Sequence, residues 1–247
     1  SIGDALVQIG QKNLVLDTQG NWGNIYTGDS AAAPRYIEVR LNKFAQEVVF
    51  NPKTTTWLSS YDGRNKEPIT LPMKFPMVLA QGVEGIAVGL STKIMPHNFI
   101  ELVKASIRIL EDKKIKLVPD FPTGGTIDGR AGIYDAYKTG RGIIHIRSNT
   151  SIEEDKSGKQ SLIIDEIPFM VNKARMLEKI AELVKDKKVE GITEIRDESD
   201  KDGLRVVIEV RKGESVEVLE NNLFAQTQLE QSFGINLTVL SKGQPKE

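Results

Sequence analysis

The sequence predicts an α+β fold, in which helices are mixed with hairpin-linked strands. Apolar residues recur at helical spacing over two long segments, residues 98–110 and 172–187. Two short runs rich in β-branched residues, 191–196 and 204–210, follow each other closely enough to pair as a hairpin. Strands that return as hairpins, instead of alternating regularly with helices, are typical of the α+β class.

The first part of the chain, up to residue 75, is rich in Gly, Asn, Ser, Thr and Pro, which predicts short elements between turns. The apolar spacing of residues 2–9 indicates a helix at the start. Pro34 interrupts any helix before it, and the alternation that follows predicts a strand. This strand would place Ile37, Val39 and Leu41 on a face that can be buried and Tyr36 on the opposite, polar face.

Two Asn residues are expected to cap helices. Asn42 precedes a short helix over 43–48, and Asn98 precedes a longer one that ends at residues 111–114. Both caps follow from a short polar side chain placed directly before an apolar run, because its oxygen can accept a bond from a free helix amide.

The remaining elements follow in chain order. Strands are expected at 142–147 and 161–165, separated by a polar loop around 156–159. A helix over 172–187, the hairpin strands and a last helix over 215–223 come next. No closing element is predicted after this helix, and the chain is expected to be an internal part of a longer protein.

Composition bounds the function only loosely. The chain has 247 residues, of which 39% are hydrophobic and 27% charged, so it can bury a core in one or two domains. The net charge of −1 identifies no partner. The absence of cysteine excludes disulfides and thiolate sites. No apolar run is long enough to predict a membrane span, and a cytoplasmic location is expected.

Arg35 and Tyr36 are the candidate catalytic pair. A phenol is a nucleophile that can attack a phosphodiester when a cation stabilises the charge that grows on the phosphate oxygens. The alternative is an ordinary strand tyrosine beside a charged neighbour, and spacing alone favours that alternative.

Short motifs along the whole chain bear on this choice. They include residues 18–23 (TQGNWG), 28–33 (GDSAAA), 35–36 (RY), 85–89 (GIAVG), 96–98 (PHN), 120–123 (DFPT), 137–142 (YKTGRG), 166–168 (EIP), 171–175 (VNKAR), 196–203 (RDESDKDG), 226–228 (QTQ) and 232–236 (SFGIN). In this order the chain resembles the A subunit of bacterial DNA gyrase and topoisomerase IV, the quinolone targets.

The resemblance implies a type II topoisomerase, with Tyr36 joined transiently to the 5′ phosphate of a cut strand and Arg35 beside that phosphate. It implies that residues 1–75 are the remainder of a winged-helix domain and residues 76–247 a tower domain. The family's A subunits form a homodimer on double-stranded DNA. A B subunit hydrolyses ATP and holds Mg²⁺ with its own acidic residues. The main dimer gate lies outside these residues, so the chain alone is expected to be inactive.

Several further residues are expected to contact DNA. The resemblance implies that Ile86 wedges between base pairs, although the pattern of residues 85–89 alone favours a small buried strand. The predicted contacts also comprise Gln19, Asn21, Arg40, Lys43, Lys93, His97 and Asn98, with a satisfied loop histidine as the alternative for His97. Asp4 falls where the family has an acidic residue approached by quinolones through a metal ion, although the HPHGD stretch that normally precedes it is missing.

Three alternatives stay open on the sequence. Residues 198–209 have nearly the spacing of a calcium loop, but the apolar run after Gly203 favours a hairpin turn. A tyrosine recombinase would need several Arg and His residues around the phosphate, which the two histidines fit poorly. A DNA-bending protein without catalysis would need Ile86 and the basic residues but not Tyr36.

Overall fold

The computed structural model describes residues 2–200 and 202–247 and confirms the α+β class. The α-helices are α1 (Ile2–Gly10), α2 (Lys43–Val48), α3 (Met77–Gln81), α4 (Phe99–Leu110), α5 (Ala131–Thr139), α6 (Lys173–Lys185) and α7 (Val216–Gln226). The strands are β1 (Leu16–Gln19), β2 (Glu38–Leu41), β3 (Trp57–Ser59), β4 (Lys66–Pro68), β5 (Val83–Ile86), β6 (Ser91–Ile94), β7 (Thr126–Asp128), β8 (Arg141–Arg147), β9 (Asn149–Glu154), β10 (Gln160–Glu166), β11 (Ile192–Asp197), β12 (Val206–Val210), β13 (Glu230–Asn236), β14 (Val239–Ser241) and β15 (Gln244–Lys246).

The chain divides into two compact units that are each built from several segments. The first unit runs to residue 24 and continues over 29–81 and 98–117. The second contains residues 25–28, 82–97 and 118–247. These units are not the ranges 1–75 and 76–247, which follow from the family resemblance and stay predictions, as do the names winged helix and tower.

In the first unit, β1 and β2 form a two-stranded antiparallel ribbon. The rings of Phe44, Phe75 and Phe99 pack with centroids 4.7–6.1 Å apart and join α2 to α4. The prediction that Val39 and Leu41 form a buried face is wrong, because both side chains are exposed in β2. Tyr36 lies in a 3₁₀ turn before the strand.

The second unit contains a five-stranded sheet in the order β5-β6-β13-β8-β7. Its long central pair, β8 and β13, is antiparallel in register from Glu230↔Arg147 to Asn236↔Arg141. Alternate residues of these strands enter the core, while His145 faces solvent. The buried cluster comprises Met95, Phe121, Ile133, Ala136, Ile144, Ile146, Phe233 and Ile235.

A four-stranded sheet in the order β11-β12-β10-β9 forms the other core of the second unit. Leu162, Ile164 and Ile208 point to one face, where α6 and α7 contribute Met176 and Leu223 to the same buried cluster. The predicted hairpin of β11 and β12 is confirmed, and a bridge between residues 200 and 203 closes its turn. The calcium-loop alternative is therefore replaced by a hairpin turn.

The helix caps are confirmed in detail. Asn42 accepts a bond from the Ala45 amide at 2.8 Å, and Asn98 accepts from the Ile100 amide at 3.0 Å. Asn172 caps α6 in the same way. Among the described residues, every helix is too short or too polar to cross a lipid bilayer.

Several elements are not predicted by the sequence patterns, and β9, α5, β13 and the β14–β15 hairpin are examples. The loop expected between 147 and 161 contains β9, which is polar because it is an edge strand with mostly exposed side chains. Helix α5 begins without a side-chain cap and contains a glycine, so it lacks the usual signals. Strand β13 covers a segment that the sequence marks only as a motif. The β14–β15 hairpin follows where no element is expected.

Candidate active site

Tyr36 is presented by a short, well-defined turn. Pro34 begins this 3₁₀ turn with its backbone already restricted, and the Tyr36 amide donates to the Ala33 carbonyl at 2.9 Å. The Tyr36 side chain is 68% exposed. The turn therefore orders the backbone while leaving the phenol accessible to a large substrate.

Arg35 accompanies the phenol. Its guanidinium carbon lies 4.8 Å from the centroid of the Tyr36 ring, a cation–π distance. Among the described residues, no carboxylate forms an ion pair with Arg35. A guanidinium without a carboxylate partner can bind phosphate oxygens in a bidentate way, which is the role expected beside a scissile phosphate.

Gly20 lies against the turn that carries Tyr36. The sequence patterns do not identify it as a functional candidate. Its φ of +97° favours glycine, and a Cβ there would lie 2.9 Å from the Tyr36 carbonyl oxygen. The only signal in the sequence was its place inside the motif 18–23. Because Gly20 has no side chain, the end of β1 can lie directly against the backbone of Tyr36.

The other predicted residues of the first unit surround the β1–β2 ribbon. Gln19 is exposed at the end of β1, and the Asn21 side chain accepts from the Gly23 amide at 2.9 Å. Arg40 is ion-paired with Asp17 across the ribbon, with 3.1 Å between Nε and Oδ2. Lys43 is exposed at the first residue of α2. Asp4 is also exposed, in the first turn of α1.

The hairpin of β5 and β6, in the second unit, carries the predicted wedge. Ile86 is 89% exposed at the end of β5, opposite Ser91. The alternative of a small buried strand is therefore wrong. Lys93 lies further back on β6, half-buried, where it pairs with Glu84 at 3.3 Å and lies over the Phe233 ring.

His97 is buried, with 4% of its surface exposed, and its Nε2 lies 2.5 Å from the Tyr137 hydroxyl. Burial raises the pKa of Tyr137 to about 12, so this phenol keeps its proton at neutral pH. This is the satisfied loop histidine that the sequence left as an alternative. A DNA contact by His97 stays a prediction that would require this side chain to leave its pocket. Asn98 uses its side-chain oxygen to cap α4.

Comparison with known proteins identifies the family. The family model for the A subunit of DNA gyrase/topoisomerase IV matches residues 1–247, the whole chain. The chain belongs to this family. It is 48% identical, over 98% of its length, to the DNA gyrase A subunits of Pseudomonas aeruginosa and of Escherichia coli K12. It is 49% identical, over 94% of its length, to the gyrase A protein of Halalkalibacterium halodurans.

The chain spans less than a third of the length of these gyrase A relatives, 28% or 29% in each. Family membership gives the Arg35–Tyr36 turn a chemical context that spacing alone did not. Within residues 2–200 and 202–247, no group of three or more His, Asp or Glu side chains is arranged to hold a metal ion. The described residues therefore present an exposed phenol beside a guanidinium, and no clustered set of metal ligands.

Proposed function

We propose that Tyr36 is the nucleophile with which the full-length gyrase/topoisomerase IV-type A subunit breaks and rejoins DNA. The observation that carries this proposal is an exposed phenol in an ordered turn, beside a guanidinium for which the described residues provide no carboxylate partner. The match of the family model over the whole chain supports it. Tyr36 lies in a 3₁₀ turn before β2 and not in a strand, which supports this proposal over an ordinary strand tyrosine.

The reaction is a transesterification. The Tyr36 oxygen attacks a backbone phosphorus, a phosphotyrosine bond forms, and the bond from phosphorus to the 3′ oxygen breaks. The phenol loses its proton and the departing 3′ oxygen gains one. Arg35 stabilises the negative charge on the non-bridging oxygens through charge-assisted hydrogen bonds. Because one phosphodiester replaces another, the 3′ hydroxyl can reverse the step and reseal the strand.

The full-length protein is proposed to work as a homodimer of A subunits with a B subunit, on double-stranded DNA in the bacterial cytoplasm at the nucleoid. The B subunit would hydrolyse ATP and hold Mg²⁺. One duplex would pass through a double-strand break in another, which makes the assembly an ATP-dependent type II topoisomerase.

The exposed residues around the two units are proposed to contact the DNA. Ile86 would enter the base stack as a wedge, and its exposure at the end of a hairpin supports this role. The DNA backbone near Tyr36 would be contacted by Gln19, Arg40 and Lys43. Further contacts with the DNA backbone would come from Lys93 in β6 and from Asn98 at the start of α4. Their polar or cationic side chains are suited to phosphate oxygens.

The test is covalent capture of DNA by the full-length A subunit reconstituted with its B subunit. We expect a DNA–protein adduct from the wild type and none from Tyr36→Phe, which removes only the hydroxyl. Tyr61→Phe is the matched control, because Tyr61 is a fully exposed tyrosine in the same unit. An adduct that persists in Tyr36→Phe would disprove the assignment. In a parallel assay with ATP, the isolated chain is expected neither to relax nor to supercoil DNA.

A further inference from the structure

The hairpin of β5 and β6 ends in a second apolar side chain that is as accessible as Ile86. Val88 is 103% exposed, which means that its side chain has no packing partner. Ile86 lies two residues before it at 89%. Scattered apolar side chains on a surface are ordinary, but two fully exposed β-branched residues at one tip indicate a surface that is buried against a partner.

The tip has a fixed backbone that does not depend on the Val88 side chain. The Ala87 amide donates to the Leu90 carbonyl at 2.8 Å, which leaves Val88 and Gly89 as the two apical residues. Gly89 has a φ of +75°, the conformation that the turn requires, and a Cβ there would meet nothing within 4 Å. The hairpin therefore holds Val88 at its apex.

The chemistry of the tip is uniformly apolar. Residues 86–90 have no charged or hydrogen-bonding side chain, and the nearest opposite charges, Glu84 and Lys93, pair with each other at 3.3 Å. Isoleucine and valine are also stiff at χ1, so inserting them costs little conformational entropy. Such a tip fits the faces and sugar edges of unstacked bases better than it fits phosphates.

We infer that Val88 enters the duplex together with Ile86, as the leading side chain of a two-residue wedge. This inference rests on the proposed insertion of Ile86 and extends it. Because Val88 is at the apex, it would meet the groove first and fill the space that opens when Ile86 separates a base step. Deformable pyrimidine–purine steps would be the preferred sites, since they unstack at the lowest cost.

The test measures DNA bending by energy transfer between dyes at the two ends of a short duplex, bound to the full-length A subunit reconstituted with its B subunit. Val88→Ala removes two methyl groups, and Val88→Thr keeps the shape and β-branching but adds a hydroxyl. We expect both to lower the equilibrium constant for bending, by up to about tenfold when both methyl groups are fully buried. Val218→Ala, a largely exposed valine on α7, is the matched control and should bend DNA like the wild type.

Ile86→Ala separates the two proposals. Loss of bending in Ile86→Ala with wild-type bending in both Val88 variants would overturn the inference about Val88 and leave the Ile86 wedge standing. Wild-type bending in Ile86→Ala would instead contradict the wedge in the proposed function. The thermal unfolding midpoints of the Val88 variants should equal that of the wild type, because the side chain contacts nothing in the folded chain. A lowered midpoint would also contradict the inference, since it would reveal a structural role.

Discussion

Gly20 shows how a single residue without a reactive group can control the position of Tyr36, the proposed nucleophile. Its backbone passes so close to Tyr36 that a Cβ would lie within 2.9 Å of the Tyr36 carbonyl oxygen. Backbone atoms yield less readily than the end of a flexible side chain, so the turn rather than a rotamer would have to move. Positioning errors of about 1 Å are enough to lower a rate by about a hundredfold.

Gly20→Ala is therefore expected to reduce the rate of covalent adduct formation by one to two orders of magnitude, with DNA affinity changed much less. The rate is measured with the full-length A and B subunits and the affinity by fluorescence anisotropy. Gly63→Ala is the control, because Gly63 also has a positive φ, +70°, but has nothing within 4 Å of its Cβ position. Equal rates in the two variants would show that backbone strain, and not the contact with Tyr36, matters.

At the scale of elements, Asn98 at the start of α4 has an observed role as a helix cap and a proposed role as a DNA contact. Substitutions can separate the two. Asn98 caps the helix through its side-chain oxygen, accepting from the amides of Ile100 and Glu101 at 3.0 and 3.2 Å. The same residue is a proposed DNA contact. An aspartate caps a helix about as well as an asparagine, and its charge suits the positive end of the helix dipole. It would, however, repel a phosphate.

Asn98→Asp is expected to leave the thermal stability of the chain unchanged or slightly raised, while it weakens DNA binding by the full-length assembly. Asn98→Ala should lower the free energy of unfolding by about 1 kcal/mol through loss of the cap. Asn172→Asp, at the cap of α6, is the control for charge at a helix start without an expected phosphate. If the DNA affinity is unchanged in Asn98→Asp, Asn98 caps α4 and does not contact DNA.

At the scale of the whole molecule, ion pairs that the sequence does not reveal lie on and beside the four-stranded sheet. On the outer face of the four-stranded sheet, Arg196 pairs with Glu194, Glu198 and Glu209. Arg196 is the cross-strand partner of Val207, which is buried although it points away from the α6–α7 side. Long charged side chains can cover apolar surface with their stems, so the stem of Arg196 can cover Val207 on this face of the sheet.

Lys173 and Asp197 form the most buried of these pairs and predict an acid sensitivity. The Nζ–Oδ2 distance is 2.7 Å, and the lysine is almost fully buried. Burial alone would raise the pKa of Asp197, but bonds from Lys173 and Ser199 outweigh it and leave the pKa below its ordinary value. The carboxylate therefore stabilises the fold above about pH 4, and this contribution is lost as the pH falls through the lowered pKa.

Thermal unfolding of the chain between pH 7 and pH 3 measures this effect. The wild type should lose stability below about pH 4, and Lys173→Met should lose less over the same interval, because its Asp197 has a more ordinary pKa. Lys179→Met removes an exposed pair with Glu182 and should retain the wild-type dependence. If the wild type and Lys173→Met have the same pH dependence, this pair does not control acid stability.

The sequence by itself determined the α+β class, the helix caps and the family, because these depend on local spacing and on ordered motifs. It also marked Arg35 and Tyr36 as a pair. Tertiary structure alone decided exposure: alternation separated the two faces of β2 but could not show that both are accessible. The sequence pattern alone favoured a buried strand at Ile86, but the structure exposes this side chain. The structure also decides that His97 is buried against Tyr137. Periodicity shows which side chains share a face, whereas exposure depends on what distant parts of the chain place against that face.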